Sequence, residues 1–292
     1  MIKEHKVSIL MNCYNGERYL AEAIDSVIVQ TYKNWELIFW DNQSTDKSPK
    51  IFKSYKDSRL KYFCADKHTT LGEARNLAYS KLSGDIIAIL DSDDLWRNDK
   101  LEYQLKCFEE PSVGIVTSNI YYLYPDNKTK IRFTKQRIPE GRVARDLLKY
   151  YFVSCPTIAL RKSVTDKLKI QFDKNFSLIA DFDIIVRASK ITDLRYIPIP
   201  LATTRIWSGN ETAKNANSFC FETLRWIKKN RSTQGFSFSE KWEILKLTIV
   251  NSIKAGRIVF ILTLQKVFCC KAFHKKPCLG KKLSIYSSSI SS

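Results

Sequence analysis

The chain is 292 residues long, enough for one large or two small domains with a sizeable core. A hydrophobic content of 44% with 12% aromatics excludes a disordered chain, and eight cysteines without CxxC spacing suit reduced cytosolic thiols better than a disulfide framework or a zinc site. The net charge of +18 is lopsided: from Thr212 onward 15 Lys+Arg face 3 Asp+Glu, which points to anionic lipid or a phosphate-bearing substrate ahead of nucleic acid.

Met1–Lys6 lead directly into a strand-like segment, so no signal peptide is expected. Val7–Asn12 reads as a strand and Cys13-Tyr14-Asn15-Gly16 as the turn that leaves it. Glu17–Gln30 carries Leu20, Ala23, Ile24, Val27 and Ile28 at helical spacing. Trp35–Trp40 is a second strand ending in the polar loop Asp41-Asn42-Gln43-Ser44-Thr45-Asp46, and Pro49 just after Ser48 opens the next helix. Leu60–Phe63 is a third strand and Leu71–Leu82 a third helix. This alternation predicts a parallel sheet with right-handed crossovers, an α/β layer of nucleotide-binding type.

The fourth strand, Ile86–Leu90, is a continuous apolar run between Gly84-Asp85 and Asp91-Ser92-Asp93-Asp94, the pattern of a fully buried parallel strand. Ligands in open α/β sheets bind beyond the carboxyl ends of the strands, where these three carboxylates emerge. Three acids in four residues repel one another unless a cation intervenes, and hard oxygen ligands suit Mg²⁺ or Mn²⁺ holding a phosphate. The same tetrapeptide also reads as an Asp-rich turn.

After Trp96 the rhythm changes. Asn98–Glu110 is helical, Gly114–Tyr124 and Thr129–Phe133 form a hairpin about Pro125-Asp126-Asn127-Lys128, Arg142–Tyr151 is helical and Cys155–Leu160 extended. Phe182–Lys190 is a helix with Asp181 at its start, where an N-cap is the plain structural role. Tyr196–Ile206, interrupted by prolines, is edge strand or loop. Helices follow at Ser218–Lys229 and Ser239–Cys270; the apolar run Ile258–Leu264 is too short for the roughly 20 residues that span a bilayer. That basic amphipathic stretch fits a membrane surface or ordinary packing equally. Only His5, His68 and His274 occur, none near another in sequence, so an acid or base is sought among carboxylates.

Four segments, Val7-Ser8-Ile9-Leu10 to Tyr14-Asn15-Gly16, Asp41 to Asp46, Ala74-Arg75-Asn76 and Asp91-Ser92-Asp93-Asp94, in this order and spacing, resemble the family 2 inverting glycosyltransferases of the GT-A fold. The resemblance covers residues 6 to 210. It implies a nucleotide-sugar-binding half at 1–97, an acceptor-binding half at 98–211 and a basic helical extension at 212–292. It also implies that Asn12, Tyr14 and Asp41 line the base and ribose pocket. Asp41, which as a carboxylate can only accept, would take the imide N–H of uracil from a UDP-sugar. Arg75 would meet the nucleotide or its diphosphate; its plain reading is a surface arginine. Asp91 and Asp93 would form the DXD motif, Asp93 as metal ligand and Asp91 as ribose or metal contact, with Mn²⁺ or Mg²⁺ as cofactor; Asp94 would help either.

Where the family carries an acidic pair before an aromatic residue, this chain has Ala180-Asp181-Phe182-Asp183, so Asp181 stands at the position of the catalytic base. Thr204-Arg205-Ile206-Trp207 resembles the family's arginine, any residue, histidine stretch, with Trp207 where histidine is common and Arg205 left to serve the diphosphate. The implied reaction is single-displacement transfer to a glycan or lipid-linked glycan hydroxyl, on the cytoplasmic side and peripheral at the inner face of the cell membrane. Ala180 and Trp207 keep a second reading open, an inactive nucleotide-sugar-binding scaffold. A nucleic-acid binder is disfavoured because the basic residues lie in apolar amphipathic helices without a recognisable reading module. A sugar nucleotidylyltransferase is disfavoured because Asn15-Gly16 alone is no phosphate loop.

Overall fold

The structure, a computed structural model, describes residues 4–210 and 215–230. Its organising feature among these residues is one nine-stranded mixed sheet of order β3-β2-β1-β4-β8-β6-β9-β5, with β7 paired to β6. The amino-terminal part alternates β1 (Val7–Cys13), α1 (Leu20–Ile28), β2 (Trp35–Asp41), α2 (Ser48–Ser54), β3 (Leu60–Cys64), α3 (Leu71–Tyr79) and β4 (Ile86–Ile89). These four strands run parallel. β2 and β4 are buried along their whole length and β1 at all but Asn12, because both faces are covered; β4 is wholly apolar, and the polar breaks Ser8 in β1 and Glu36 in β2 bond each other at 2.7 Å. α1 turns Leu20, Ala23, Ile24 and Val27 inward, four positions on one helical stripe.

The continuation supplies β5 (Leu95–Trp96), α4 (Lys100–Cys107), β6 (Val113–Leu123), β7 (Thr129–Ile131), α5 (Ala144–Lys149), a 3₁₀ turn (Cys155–Thr157), β8 (Ala159–Arg161), α6 (Lys162–Thr165), α7 (Ala180–Ala188), β9 (Asp193–Arg205) and α8 (Ala216–Lys229). β8 joins the two parts by pairing antiparallel with both β4 and β6. The stretches on either side of residue 97 therefore share one sheet. The expected hairpin is β6–β7, antiparallel about Tyr124–Lys128.

Two expectations are corrected and one open alternative is decided for the strand. Cys155–Leu160 is extended only from Ile158, because Pro156 in its first turn favours the 3₁₀ turn before it. The Pro-interrupted segment is no loop: β9 pairs with β6 along its length and with β5 at Ala202 and Thr203. Pro198 and Pro200 are tolerated because the β6 ladder shifts register beside them. Asp181 is not an N-cap, since α7 starts one residue earlier and Ile179 occupies that position. The stretch Ser239–Cys270, with its proposed membrane surface, lies outside the described residues. Among the described residues no helix is long and apolar enough to cross a membrane.

α3 approaches the loop before α7 so closely that only glycine fits at position 72. A Cβ there would stand 2.2 Å from the Asp173 carbonyl oxygen and 2.6 Å from that of Phe176, both backbone atoms that cannot swing aside. Gly72 N–H also donates to the Phe176 carbonyl at 2.9 Å. Gly72→Ala should therefore push α3 off this loop and cost about 1–3 kcal/mol, the usual range for overpacking, read as a fall in thermal midpoint. An unchanged midpoint would mean that the contact is looser than drawn.

Candidate functional site

The carboxyl ends of β1, β2 and β4 converge on one cleft. The loops leaving β1 and β2 are laced together: Asn15 N–H donates to Ser44 Oγ at 3.0 Å, Gly16 N–H to Ser48 Oγ at 2.9 Å, and Thr45 N–H to Asn15 Oδ1 at 2.8 Å. Asn15 (φ 54°) and Gln43 (φ 70°) adopt left-handed backbone to make these turns. Gly16 lets the Asp-rich loop close in, since a Cβ there would meet Ser92 Oγ at 2.8 Å.

Asp41 is 1% exposed, with Oδ1 accepting Ser44 N–H at 2.8 Å and Oδ2 accepting the Tyr62 hydroxyl at 2.6 Å. Each oxygen thus already has one protein donor. Tyr14 is exposed and its ring lies 4.3 Å from that of His68, whose Nδ1 is 2.9 Å from the Asn42 carbonyl oxygen. Beside His68 an open recess of about 530 Å³ is lined by Lys67, Thr69, Thr70, Glu73 and Ser177. The Asn12 side-chain amide is buried with neither its nitrogen nor its oxygen bonded. An unsatisfied buried amide costs about 1–3 kcal/mol, so both atoms of this amide are open to a partner beyond the described protein groups.

Arg75 is not the surface arginine of its plain reading. It is 3% exposed, and its NH2 lies 3.4 Å from Asp91 Oδ1 and 3.3 Å from Cys155 Sγ, while its Nε has no partner. Burial works against the guanidinium charge, but Cys155, Asp91 and Asp181 around it outweigh that and hold it above its ordinary value. Asp181 Oδ2 accepts the Tyr151 hydroxyl at 3.1 Å. Burial, reinforced by Asp91, pushes the Asp181 carboxyl up even though Arg75, the Phe182 N–H and Tyr151 pull the other way. A carboxylate raised in this way is a better proton acceptor than a solvated one.

The three acids after β4 have separated roles. Asp94 is buried and accepts Arg205 N–H at 3.0 Å and the Thr204 hydroxyl at 3.2 Å, so it ties β9 to the loop. Asp93 Oδ2 accepts the Trp207 indole N–H at 2.9 Å and the Asn210 amide at 3.2 Å. Burial first, then the neighbouring Asp91, pushes Asp93 up; burial with Asp93 and Asp91 raises Asp94 well above the carboxylate range. Asp91 faces outward, 37% exposed along its side chain. Arg205 turns its guanidinium to Glu22 and over the Tyr19 ring, 4.5 Å from its centroid.

Asp91, Arg75 and Asp181 are thus brought together from three elements far apart in sequence, with Asp93 and Asp94 beside Asp91. Asn12, Tyr14 and Asp41 lie at the ends of β1 and β2. Tyr151 and Cys155 were not singled out in the sequence, and no local pattern marks them: each matters because the tertiary fold sets it against Asp181 or Arg75. The position of Trp207 was legible, its bond to Asp93 was not.

Residues 8–169 match the family model described as glycosyl transferase family 2. The chain belongs to glycosyl transferase family 2. It is 32% identical over 169 residues to UDP-Glc:alpha-D-GlcNAc-diphosphoundecaprenol beta-1,3-glucosyltransferase WfgD of Escherichia coli, covering 58% of this chain. It is 30% identical over 166 residues to the putative teichuronic acid biosynthesis glycosyltransferase TuaG of Bacillus subtilis, covering 56% of this chain. The chain spans 65% of the length of each of these curated relatives.

Solved structures share the fold at low identity. TarS 1–349 of S. aureus in complex with UDP-GlcNAc superposes with a TM-score of 0.64 at 15% identity, over 85% of this chain and 73% of that one. The mannosyltransferase PcManGT of Pyrobaculum calidifontis in complex with GDP-Man and Mn²⁺ superposes with a TM-score of 0.61 at 16% identity, over 92% and 81% of the two chains. The expected GT-A architecture, a mixed α/β sheet with flanking helices, is the observed one.

Proposed function

We propose that this family 2 glycosyltransferase transfers a sugar, with inversion, from a nucleotide-diphosphate sugar to a hydroxyl of a glycan or lipid-linked glycan. The observation that carries the reading is the convergence of Arg75, Asp91 and Asp181 at one cleft: a buried cation beside an outward carboxylate, and a half-buried carboxylate held by the Tyr151 hydroxyl. Asp181 accepts the proton of the acceptor hydroxyl as that oxygen attacks the anomeric carbon. The bond from that carbon to the diphosphate oxygen breaks on the opposite face, and its electron pair leaves with the nucleoside diphosphate. Tyr151 holds the Asp181 carboxylate while this happens. Arg75 offers its unpartnered Nε and its charge to the departing diphosphate. Asn12 offers both halves of its amide to the nucleoside.

A divalent cation fits the residues present. Two neighbouring carboxylates, Asp91 and Asp93, are crowded enough that burial and mutual repulsion raise Asp93, and a Mg²⁺-like ion uses one or two carboxylates with substrate phosphates for the rest. Asp91 and Asp93 would hold the ion, and its chemistry is to neutralise phosphate charge. Trp207 cannot ligate, since an indole only donates.

UDP-sugars are favoured as donors because a UDP-sugar is named for WfgD and UDP-GlcNAc is bound by TarS, although PcManGT carries GDP-Man. A lipid-linked acceptor is supported by the substrate in the name of WfgD, a diphosphoundecaprenol-linked sugar, and would place the enzyme at the inner face of a membrane with the basic carboxyl-terminal residues toward anionic lipid. The test is a thermal-shift screen against UDP, GDP, dTDP and CMP, each with and without Mn²⁺. A metal-dependent rise with UDP is expected. No rise with any of them would favour the inactive scaffold.

A further inference from the structure

α8 reaches back to the loop that presents Asp181. Glu222, Trp226 and Lys229 fall at i, i+4 and i+7, one face of the helix. The two oxygens of Glu222 accept three consecutive backbone N–H groups ahead of α7: Ser177 at 3.0 and 3.1 Å, Leu178 at 2.8 Å and Ile179 at 3.2 Å. One turn on, Trp226 Nε1 donates to Asp183 Oδ1 at 2.9 Å, and Lys229 pairs with Asp173. Asp183 is two residues from Asp181 on α7, and Asp173 opens the loop.

We propose that Glu222 is a positioning residue for the Asp181 carboxylate, so that α8 sets the geometry of proton transfer without touching the donor. This rests on the reading of Asp181 as the base. The N-cap position of α7 is Ile179, which carries no capping side chain, and the N–H groups of Ser177, Leu178 and Ile179 just ahead of the helix are met by Glu222. Successive N–H groups make an anion-binding concavity, and Glu222 fills it from a distant part of the chain. With those groups occupied, Asp181 in the first turn faces Tyr151 and the Arg75 charge. The hold continues through the aromatic rings: Trp226 meets Phe182 edge-on at 5.2 Å, and Phe182 meets Tyr151, the donor to Asp181, edge-on at 5.2 Å. Losing Glu222 leaves the N–H groups to water and lets the first turn of α7 shift. A displacement of about 1 Å at a reacting group lowers turnover by up to roughly 100-fold.

The experiment compares Glu222→Ala, Glu222→Gln and Asp181→Asn in the full chain. It measures kcat and donor KM by nucleoside diphosphate release, with the nucleotide sugar that turns over in wild type (UDP-glucose as first probe), and UDP affinity by calorimetry. Glu222→Ala should lower kcat about tenfold while donor KM and UDP affinity stay within about twofold. Glu222→Gln, which keeps one acceptor oxygen, should recover most of that loss. Wild-type kcat in Glu222→Ala beside an inactive Asp181→Asn would overturn the positioning role and leave the base in place, whereas full turnover in Asp181→Asn would overturn the base itself. A parallel loss of kcat and UDP affinity would make Glu222 a general structural support and also overturn the proposal. Should Glu222→Ala not fold, Trp226→Phe decides in its place: it keeps an aromatic ring in the buried site, removes the N–H to Asp183 together with part of the indole, and should show the same split between kcat and KM, with unchanged kcat overturning it.

Discussion

Asp181→Asn should reduce sugar transfer about 1,000-fold, within the roughly 10²- to 10⁴-fold range for loss of a general base and equivalent to about 4 kcal/mol in the barrier. The amide keeps the size of the side chain and can still accept from the Tyr151 hydroxyl, so the pocket should stay closed and nucleotide affinity should change little. The pH profile adds an independent check. Burial raises the wild-type Asp181 carboxyl, so the protonated, inactive form persists above the carboxylate value of about 4. Because only the ionised form accepts a proton, kcat/KM should fall as pH drops through this raised value, and that limb should vanish in the residual activity of the Asn variant. Turnover near wild type with the limb intact would place the base elsewhere, Asp91 being the nearest alternative carboxylate.

Asp93→Ala should abolish the metal-dependent part of the thermal shift with UDP and lower turnover by about 100- to 1,000-fold, the usual size of a lost electrostatic contact to developing charge. Stability without ligand should respond far less, because two effects oppose. Removing the half-buried Asp93 carboxylate relieves the repulsion that adds to the raising of Asp94 by burial, while the Trp207 indole and Asn210 amide lose their common acceptor. If nucleotide binding required Mn²⁺ as strongly in the variant as in wild type, Asp93 would not be a ligand. The Trp207 bond gives this experiment a further edge: an indole N–H on Oδ2 uses a lone pair that an ion would otherwise take, so wild-type metal affinity should lie below that of Trp207→Phe.

Much of the site was legible without coordinates because its residues sit at strand ends. An apolar run followed by acids reads as a buried parallel strand delivering charge to a cleft, and Ile86–Leu90 before Asp91 is such a case. Asn12, Asp41 and the Asp91 cluster follow from that rule, since the chain order of strands in the parallel part is local information. Roles that depend on long-range contact were not legible. Asp94 looked interchangeable with its neighbours until β9 came to rest on it, 110 residues later. Arg205 looked like a diphosphate ligand, and its pairing with Glu22 on α1 was not legible. An N-cap was the plain reading of Asp181 because helix ends are blurred in sequence; Ile179 holds that position, and Glu222 bonds the N–H groups just ahead of it.

The sequence by itself determined the alternating strands and helices, the burial of β1, β2 and β4, and the carboxylates at their ends, because apolar periodicity and turn chemistry are properties of neighbouring residues. Only the tertiary structure decided which carboxylate is free for chemistry and which is spent on the fold. Burial and partnership set that choice, and the partners of Asp41, Asp93, Asp94 and Asp181 come from Tyr62, Trp207, Arg205 and Tyr151, brought close by the sheet rather than by the chain.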